Sequence, residues 1–402
     1  MRLAVVSPFV DRRHGTERAL AETLERLVNV YACEIHLYSQ HVEGLTLRPG
    51  VSSREAVTPG IVFHKVPSVP GPQAVQFPTW MLLNTLRRIW DRKRHGMRYH
   101  VVLSPGINCL DADAVIIHAL FFRLRDLSRG EQRQLTFLRR LHRAIYYRFL
   151  AAMESHIYSD PSVSVGAVSQ RTASLVESKF GRKNVPDIPN GVDAKQFSPS
   201  ARLDRRSAAR NRYGFEEREL VLLLIGNDWF VKGLPAILDA MALCPALPLR
   251  LLVAGSDHPQ QHQAYAERLG LGGRCVWMKP ETDPLNFMAA ADVYVSPTCE
   301  DAFALPPLEA MASGLPVITS VNNGGSQIIT NGVDGFVLQD AKDVSALALL
   351  FGRLHEEPEF RHAVGQRAAR TAEKYSWDRH AAGIWELLRH AYLRKATGSE
   401  KE

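Results

Sequence analysis

At 402 residues the chain exceeds what one ordinary core holds and suits two domains. Its 46% hydrophobic and 23% charged residues are the balance of a folded globular chain, which excludes collagen-like, low-complexity and disordered classes. The formal charge of +7 is unevenly spread: residues 1–200 carry 27 Lys+Arg against 17 Asp+Glu and residues 201–402 carry 22 against 25, so the two halves are expected to meet different partners.

In chain order, the first half offers strands at Leu3–Ser7, Glu34–Ser39, Val101–Ser104, Ala114–His118 and Val163–Ser169, with a helical pattern over 16–29. After the first strand, Gly15 opens that helix and lets a backbone amide approach a phosphate closely. Residues 86–98 hold six Lys/Arg and one acidic residue. Residues 121–150 hold eight Arg and two acidic residues among Phe121, Phe122, Phe137, Leu138, Tyr146, Tyr147 and Phe149. Such stretches read either as an interface with an anionic membrane surface or as a solvated basic face over ordinary core aromatics. No nucleic-acid module accompanies the charge, so nucleic acid is not expected as a partner. The prolines and the Asn190-Gly191 turn between Pro186 and Tyr213 mark a domain boundary, set at residue 199.

The second half offers strands at Leu220–Gly226, Leu249–Gly255, Cys275–Met278, Val293–Ser296 and Leu315–Thr319, with helical patterns at 235–243 and 342–355. Runs of Val, Ile and Leu suit strands buried on both faces, so each half reads as a doubly wound α/β domain with a parallel sheet. Lys232 sits in the loop after the first of these strands, where its ammonium can meet a diphosphate as a point charge, or be an ordinary solvated lysine. The segment from Pro297 to Pro316 is a strand–loop–helix unit with Glu300 and Asp301 in the loop. Pro306 is placed at the first helical position, Glu309 in the first turn, and Gly314 at a left-handed end. The amides of Ala302, Phe303, Ala304 and Leu305 then stand free at the positive end of the helix, where they can meet a phosphate or a sugar hydroxyl. The plain alternative is a connecting loop with a carboxylate complementing the helix dipole. A last helical pattern, Trp377–Leu393, has no strand after it.

Several classes fall away. The chain contains neither GxGxxG nor GxxxxGK[ST], which argues against NAD(P) oxidoreductases and P-loop enzymes. Asp111-Ala-Asp113 reads as a polar loop, and His258 with His262 lacks the further ligands of a zinc site, so no metal site is expected. The N-terminal MRLAVVSPFV lacks the apolar length of a signal peptide, and the longest apolar run, Leu220–Ile225, is too short to span a bilayer. Five scattered cysteines without a CxxC pair fit free thiols. The expected address is cytoplasmic, with peripheral attachment to the inner face of a membrane.

Taken together, Gly15–Arg18, Ile188-Pro-Asn-Gly-Val-Asp193, Lys232-Gly233, Leu252-Val-Ala-Gly255, Ala291–Pro297, Leu308-Glu-Ala-Met-Ala-Ser-Gly-Leu-Pro-Val317 and Asn331–Phe336 resemble the retaining GT-B glycosyltransferases of group 1. Within that family the look is of enzymes that build bacterial lipopolysaccharide or other surface glycans. The resemblance implies two Rossmann-like domains across a cleft, 1–199 on the acceptor side and 200–375 on the nucleotide-sugar side, with a final helix, 376–402, returning to the first. It implies transfer from a nucleotide-diphosphate sugar to a glycan or lipid-linked acceptor, with the anomeric configuration retained and no metal. The family's two acidic residues fall on Asp301, facing the transferred sugar, and Glu309, facing the donor ribose; Asp301 is one methylene short, and Glu300 is the alternative for its role. Lys232 takes the diphosphate, with Asn227 standing where the family commonly has an arginine, and the amides of Gly15 and residues 302–305 assist it. His118 matches a position near the transferred sugar; its other reading is a satisfied, half-buried histidine. Asp301 and Asn227 depart from the family pattern. That keeps open a non-catalytic adaptor on the same fold, or a GT-B epimerase or phosphorylase.

Overall fold

The computed structural model describes residues 1–48, 57–131, 137–281 and 283–398. The first part of the chain runs β1 (Arg2–Val6), β2 (Phe9–Val10), α1 (Gly15–Asn29), β3 (Glu34–Ser39), β4 (His41–Val42), β5 (Gly60–Lys65), α2 (Gln73–His95), β6 (Val101–Pro105), β7 (Ala114–Ile117), α3 (Phe121–Glu131), α4 (Phe137–Ser159), β8 (Ser164–Ala167) and α5 (Gln170–Phe180). It continues through α6 (Pro199–Tyr213), β9 (Leu220–Ile225), α7 (Leu234–Ala242), β10 (Leu249–Ala254), α8 (Gln260–Arg268), β11 (Cys275–Met278), α9 (Leu285–Ala290), β12 (Val293–Ser296), α10 (Leu305–Ala312), β13 (Val317–Ser320), β14 (Phe336–Leu338), α11 (Val344–Glu356), α12 (Pro358–Ala372) and α13 (Trp377–Gly398).

Two six-stranded sheets result, ordered β5-β3-β1-β6-β7-β8 and β11-β10-β9-β12-β13-β14, and their neighbouring strands pair in parallel. In each, the first strand lies in the middle and the chain winds outward to one edge, then to the other, which is the doubly wound Rossmann order. The reason is visible in the strands. Leu220–Ile225 reads LVLLLI with five of six residues buried, so it has no polar face to give to water and must be covered by helices on both sides.

The chain divides into two compact units, one of Met1–Pro189 with the segment from Trp377, the other of Asn190–Ser376. The boundary therefore falls at Pro189, ahead of the expected 199. Residues 190–199 go with the second unit because Asn190 Nδ2 donates to Phe303 O at 3.2 Å and Val192 N donates to Tyr375 O at 2.9 Å. In the first unit α13 packs on α1, β6, β7 and β8. Arg26 Nε pairs with Asp378 at 2.6 Å and Tyr31 stacks on Trp385 at 4.8 Å.

The first sheet buries a polar chain beside its apolar core. Arg2 pairs with Glu34 at 3.2 Å, Glu34 with His36 at 3.0 Å, His36 with His64 at 2.8 Å, and His64 with Asp91 at 2.9 Å; Asp91 also accepts from Tyr38 Oη at 2.9 Å. Each of these side chains thus has a partner, although among the described residues the Arg2 Nε and Asp91 Oδ1 atoms have none. The five cysteines are free, and burial pushes the thiols of Cys33 and Cys109 up to about 11 and about 12, so these two serve as packing groups. Among the described residues no helix is long and apolar enough to cross a membrane.

Candidate functional site

Open parallel sheets bind ligands beyond the carboxyl ends of their strands, where the winding direction reverses. In the second unit that point lies between β9 and β12. The loop after β9 carries Lys232, the loop after β12 carries Asp301, and Lys232 Nζ forms an ion pair with Asp301 Oδ2. Both side chains keep contact with solvent, at 18% and 16% exposure, so this pair is open to a competing ligand.

The two loops are built as one piece. Val231 O accepts from Cys299 N at 2.7 Å and from Thr298 Oγ1 at 3.0 Å. Gly233 has φ +85°, and a Cβ there would stand 2.3 Å from Pro297 O, so only glycine lets the loops approach this closely. The Asp257 carboxylate accepts from Asp228 N at 2.9 Å and Trp229 N at 2.7 Å, anchoring the Lys232 loop from the neighbouring strand end. Asn227 Oδ1 accepts from Ser256 N at 2.8 Å. Its carbonyl is thus engaged in joining the ends of β9 and β10, a use the sequence did not reveal.

The acidic loop is equally fixed. Asp301 Oδ1 accepts from Phe303 N at 3.1 Å, and the Asp301 backbone exchanges hydrogen bonds with Asn322 O at 3.0 Å and Gly324 N at 2.8 Å. Asn323 Oδ1 accepts from Gly325 N at 3.0 Å and Ala304 N at 3.4 Å. Two of the four amides expected to be free, those of Phe303 and Ala304, are therefore used within the protein, which leaves those of Ala302 and Leu305. Helix α10 starts at Leu305, one residue earlier than expected, with Pro306 and Pro307 next. Their missing N–H groups fall in the first turn, where no intrahelical acceptor exists. Glu309 is consequently beyond the first turn, 4% exposed, and Glu300 is 8% exposed. Tyr294 of β12 lies near both acids: burial raises its pKa, and the charges of Asp301 and Glu309 raise it further. Gly314 takes the left-handed φ expected of it, +75°.

In the first unit, Gly15 is the first residue of α1, and Asp11 shapes the loop before it by accepting from Arg13 N at 2.8 Å and His14 N at 3.0 Å. His118 follows β7 and is half-buried; burial, with the charge of His380 adding, lowers its pKa to about 3, so it is neutral at pH 7. His380 of α13 is buried, with Nδ1 donating to Pro189 O at 2.9 Å, and burial lowers it to about 4. Asp111 pairs with Arg88 at 2.6 Å, while Asp113 accepts from Val102 N and from Lys395 at 2.8 Å, so both act structurally. His262 lies against Trp229 and Trp277. Among the described residues no group of three His, Cys, Asp or Glu is placed to hold a metal.

Sequence reasoning missed Asp257, Asn323, Thr298 and His380, whose roles come from partners far along the chain. Asn190 stood in a segment singled out by its resemblance, but its part in bracing Phe303 is a tertiary contact.

The fold is that of the GT-B glycosyltransferases, with two Rossmann-like halves. Residues 205–371 match the family described as "Glycosyl transferases group 1". The chain is 27% identical over 249 residues to the D-inositol 3-phosphate glycosyltransferase of Corynebacterium urealyticum, covering 59% of this chain and 58% of that protein. It is 30% identical over 204 residues to the lipopolysaccharide glucosyltransferase WaaG of Escherichia coli K12, covering 49% and 54%. The matches thus span little more than half the length of these relatives. Among solved structures, that of WaaG, "a glycosyltransferase involved in lipopolysaccharide biosynthesis", superimposes with a TM-score of 0.75 at 20% identity over 95% of this chain and 99% of that one. The Anabaena protein HepE in complex with UDP-glucose superimposes with a TM-score of 0.67 at 17% identity, over 97% and 100%. At these identities the likeness is one of fold.

Proposed function

We propose that this chain is a retaining glycosyltransferase, moving a sugar from a nucleoside-diphosphate sugar to a glycan or lipid-linked acceptor in the synthesis of a bacterial surface glycan. The observation that carries the reading is the meeting of Lys232 and Asp301 at the reversal point of the second sheet, on loops held together through Val231 O and Gly233. WaaG, named for lipopolysaccharide work, and HepE, solved with UDP-glucose, support the substrate class.

In this reading the anomeric C–O bond to the diphosphate breaks as the acceptor oxygen bonds the anomeric carbon on the same face. The acceptor's proton passes to the departing phosphate oxygen. Charge grows on the diphosphate, and Lys232 with the amides of Ala302 and Leu305 stabilises it, the task a divalent ion would otherwise perform. Asp301 holds the transferred sugar and Glu309 the ribose. His118, neutral at pH 7, offers the sugar a hydrogen-bonding imidazole.

Calorimetry with the bare nucleoside diphosphate separates the two acids. Glu309→Ala is expected to weaken binding about tenfold or more, the loss of one hydrogen bond to a charged group. Asp301→Ala is expected to keep that binding, or tighten it by releasing Lys232, while sugar transfer falls. Equal effects of the two variants would remove the division of roles. Tight binding without transfer or hydrolysis of any nucleotide sugar would favour the adaptor reading.

We further propose that the acceptor is met at an anionic membrane surface, and the feature that supports this is narrower than the basic stretches suggest. On α2, Leu82, Leu86 and Trp90 form an exposed stripe at 59%, 51% and 44%, with Arg87 and Arg94 stacked against Trp90 at 4.8 and 5.0 Å. Arg88 is buried on Asp111 and does not contribute. Phe121, Phe122, Tyr146, Tyr147 and Phe149 pack against the first unit's core, so for them the ordinary core reading holds. Phe137 and Leu138, with Arg129, Arg133, Arg139 and Arg140, lie outside the described side chains. Each basic residue near an anionic leaflet contributes roughly 1 kcal/mol. Sedimentation with liposomes is expected to rise with anionic lipid, fall with salt, and drop for Arg92→Ser/Lys93→Ser/Arg94→Ser. Equal sedimentation with neutral and anionic liposomes would leave a soluble acceptor.

A further inference from the structure

The amino ends of β12 and β13 lie at the opposite end of the second sheet from Lys232 and Asp301, and a separate set of charges collects there. Asp292, directly before β12, is paired with Arg206 at 2.9 Å and with Arg210 at 3.1 Å. Arg202, one turn earlier on α6, is 8% exposed and, among the described residues, donates to main-chain carbonyls, Ser313 O at 2.8 Å and Ala291 O at 3.3 Å. Arg361 of α12 donates to Leu354 O. It can stand over this spot because α12 lies directly on the turn between α10 and β13: a Cβ at Gly365 would be 2.2 Å from Gly314 O.

Arg202, Arg206, Arg361, His362 and Asp292 line an open cavity of about 250 Å³. Three guanidiniums face that space with one carboxylate among them. Glu217 approaches Arg206 at 3.4 Å, but from the solvent side, at 73% exposure, where water and salt screen it. The excess of positive charge is felt by the arginines themselves. Burial and the charge of Arg206 lower Arg202 to about 10, with Asp292 opposing. Burial also lowers Arg361; Asp292 opposes this, and the charges of Arg206 and Arg210 add to it. Guanidinium groups are planar donor forks matched to tetrahedral oxyanions, which they bind through paired charge-assisted hydrogen bonds. The space is several times the ~30 Å³ share of one water, so an oxyanion fits with a substituent or with water beside it.

We propose that this cavity is a binding site for a small phosphate-bearing anion, held by Arg202, Arg206 and Arg361 and independent of the Lys232 loop. The anion completes the charge balance that Asp292 leaves unfinished. Its binding ties α6, α12 and the α10–β13 turn together, and so stabilises the second unit by mass action. Free phosphate and the phosphoryl group of a sugar phosphate share this chemistry.

The test is isothermal titration of the full chain with inorganic phosphate and, separately, with a hexose monophosphate, at ionic strength held constant with chloride. Binding of either titrant is expected to weaken about tenfold or more in Arg361→Gln and to remain unchanged in Lys232→Ala. Tighter binding of the hexose monophosphate identifies a sugar phosphate as the ligand, and equal binding identifies phosphate itself. Undiminished affinity in Arg361→Gln, a loss in Lys232→Ala, or no binding of either titrant to the wild type overturns the proposal. Thermal melting without phosphate checks that Arg361→Gln folds. If it does not, Arg361→Lys, which keeps the charge and loses the fork, replaces it; a several-fold weaker affinity supports the site, and unchanged affinity overturns it.

Discussion

Lys232→Ala is expected to lower turnover about 100–1,000-fold, equivalent to about 2.7–4 kcal/mol of transition-state stabilisation, without loss of the fold. The ammonium stands on a loop anchored by the Asp257 carboxylate and joined to the neighbouring loop through Val231 O, so it is held in place before substrate arrives. A preorganised charge of this kind acts on the diphosphate as it departs, and its effect appears in kcat more than in KM. The side chain is 18% exposed and its ion-pair partner among the described residues, Asp301, is 16% exposed, so truncation leaves no deeply buried partner unpaired, and thermal melting should move little. Released nucleoside diphosphate, measured across a panel of nucleotide sugars, gives the rate. Activity within a few-fold of wild type would take Lys232 out of the reaction.

The second large effect is on stability in acid. His36, fully buried in β3, and His380, 2% exposed in α13, are each lowered by burial to about 4. In the unfolded chain both return to about 6.5. Below that value the unfolded state takes up protons that the folded state refuses, so stability falls as the pH falls and continues to fall down to about 4. The slope is about 1.4 kcal/mol per pH unit for each histidine. The groups facing His36 act in both directions: Glu34 favours its protonation, while His64 and Arg2 oppose it. Glu34 and Asp91, whose pKa values are lowered, add stability that is present above their unfolded values and is lost at still lower pH. For both carboxylates burial works against this lowering, which comes from the hydrogen bonds and charges of His36 and Arg2 at Glu34 and of His64 at Asp91. Urea unfolding at steps from pH 7 to pH 4.5 measures the slope. His118, lowered by burial to about 3, adds to the slope, and Glu154, raised by burial to about 7, opposes it. His36→Gln with His380→Gln is therefore expected to reduce the slope; an unchanged slope in that double variant would assign the acid lability to other groups.

How far the sequence revealed this molecule depended on the reach of each contact. Central strands such as Leu220–Ile225 and Leu249–Ala254 were legible because burial on both faces writes a continuous apolar run. Strand β5, GIVFHK, was missed: it pairs along a single edge with β3, and half its residues are polar or small. Strand β14 is three residues long, too short for any period. In the site, Lys232 and Asp301 were each legible as residues of strand-end loops, but their ion pair was not, because it depends on β9 and β12 lying side by side. The use of Phe303 N and Ala304 N could not be read, because their acceptors, Asp301 Oδ1 and Asn323 Oδ1, are set by a bridge between Asp301 and Asn323. The same limit hid the four arginines around Asp292, which arrive from two helices.

The first unit is interrupted: the chain leaves it at Pro189 and rejoins it at Trp377, with the whole second unit between. On the ribosome, at about 5–20 residues per second, α13 therefore emerges roughly 10–40 s after β8. During that wait β6, β7 and β8 lack the helix that packs on them, and the side of Ile188 that Gly383 approaches is bare. The second unit is synthesised without interruption, and its own closing bond, from Val192 N to Tyr375 O, forms only as its last residues appear. Although synthesised first, the N-terminal unit is thus the last to be completed, because α13 follows the whole of its inserted neighbour in the chain.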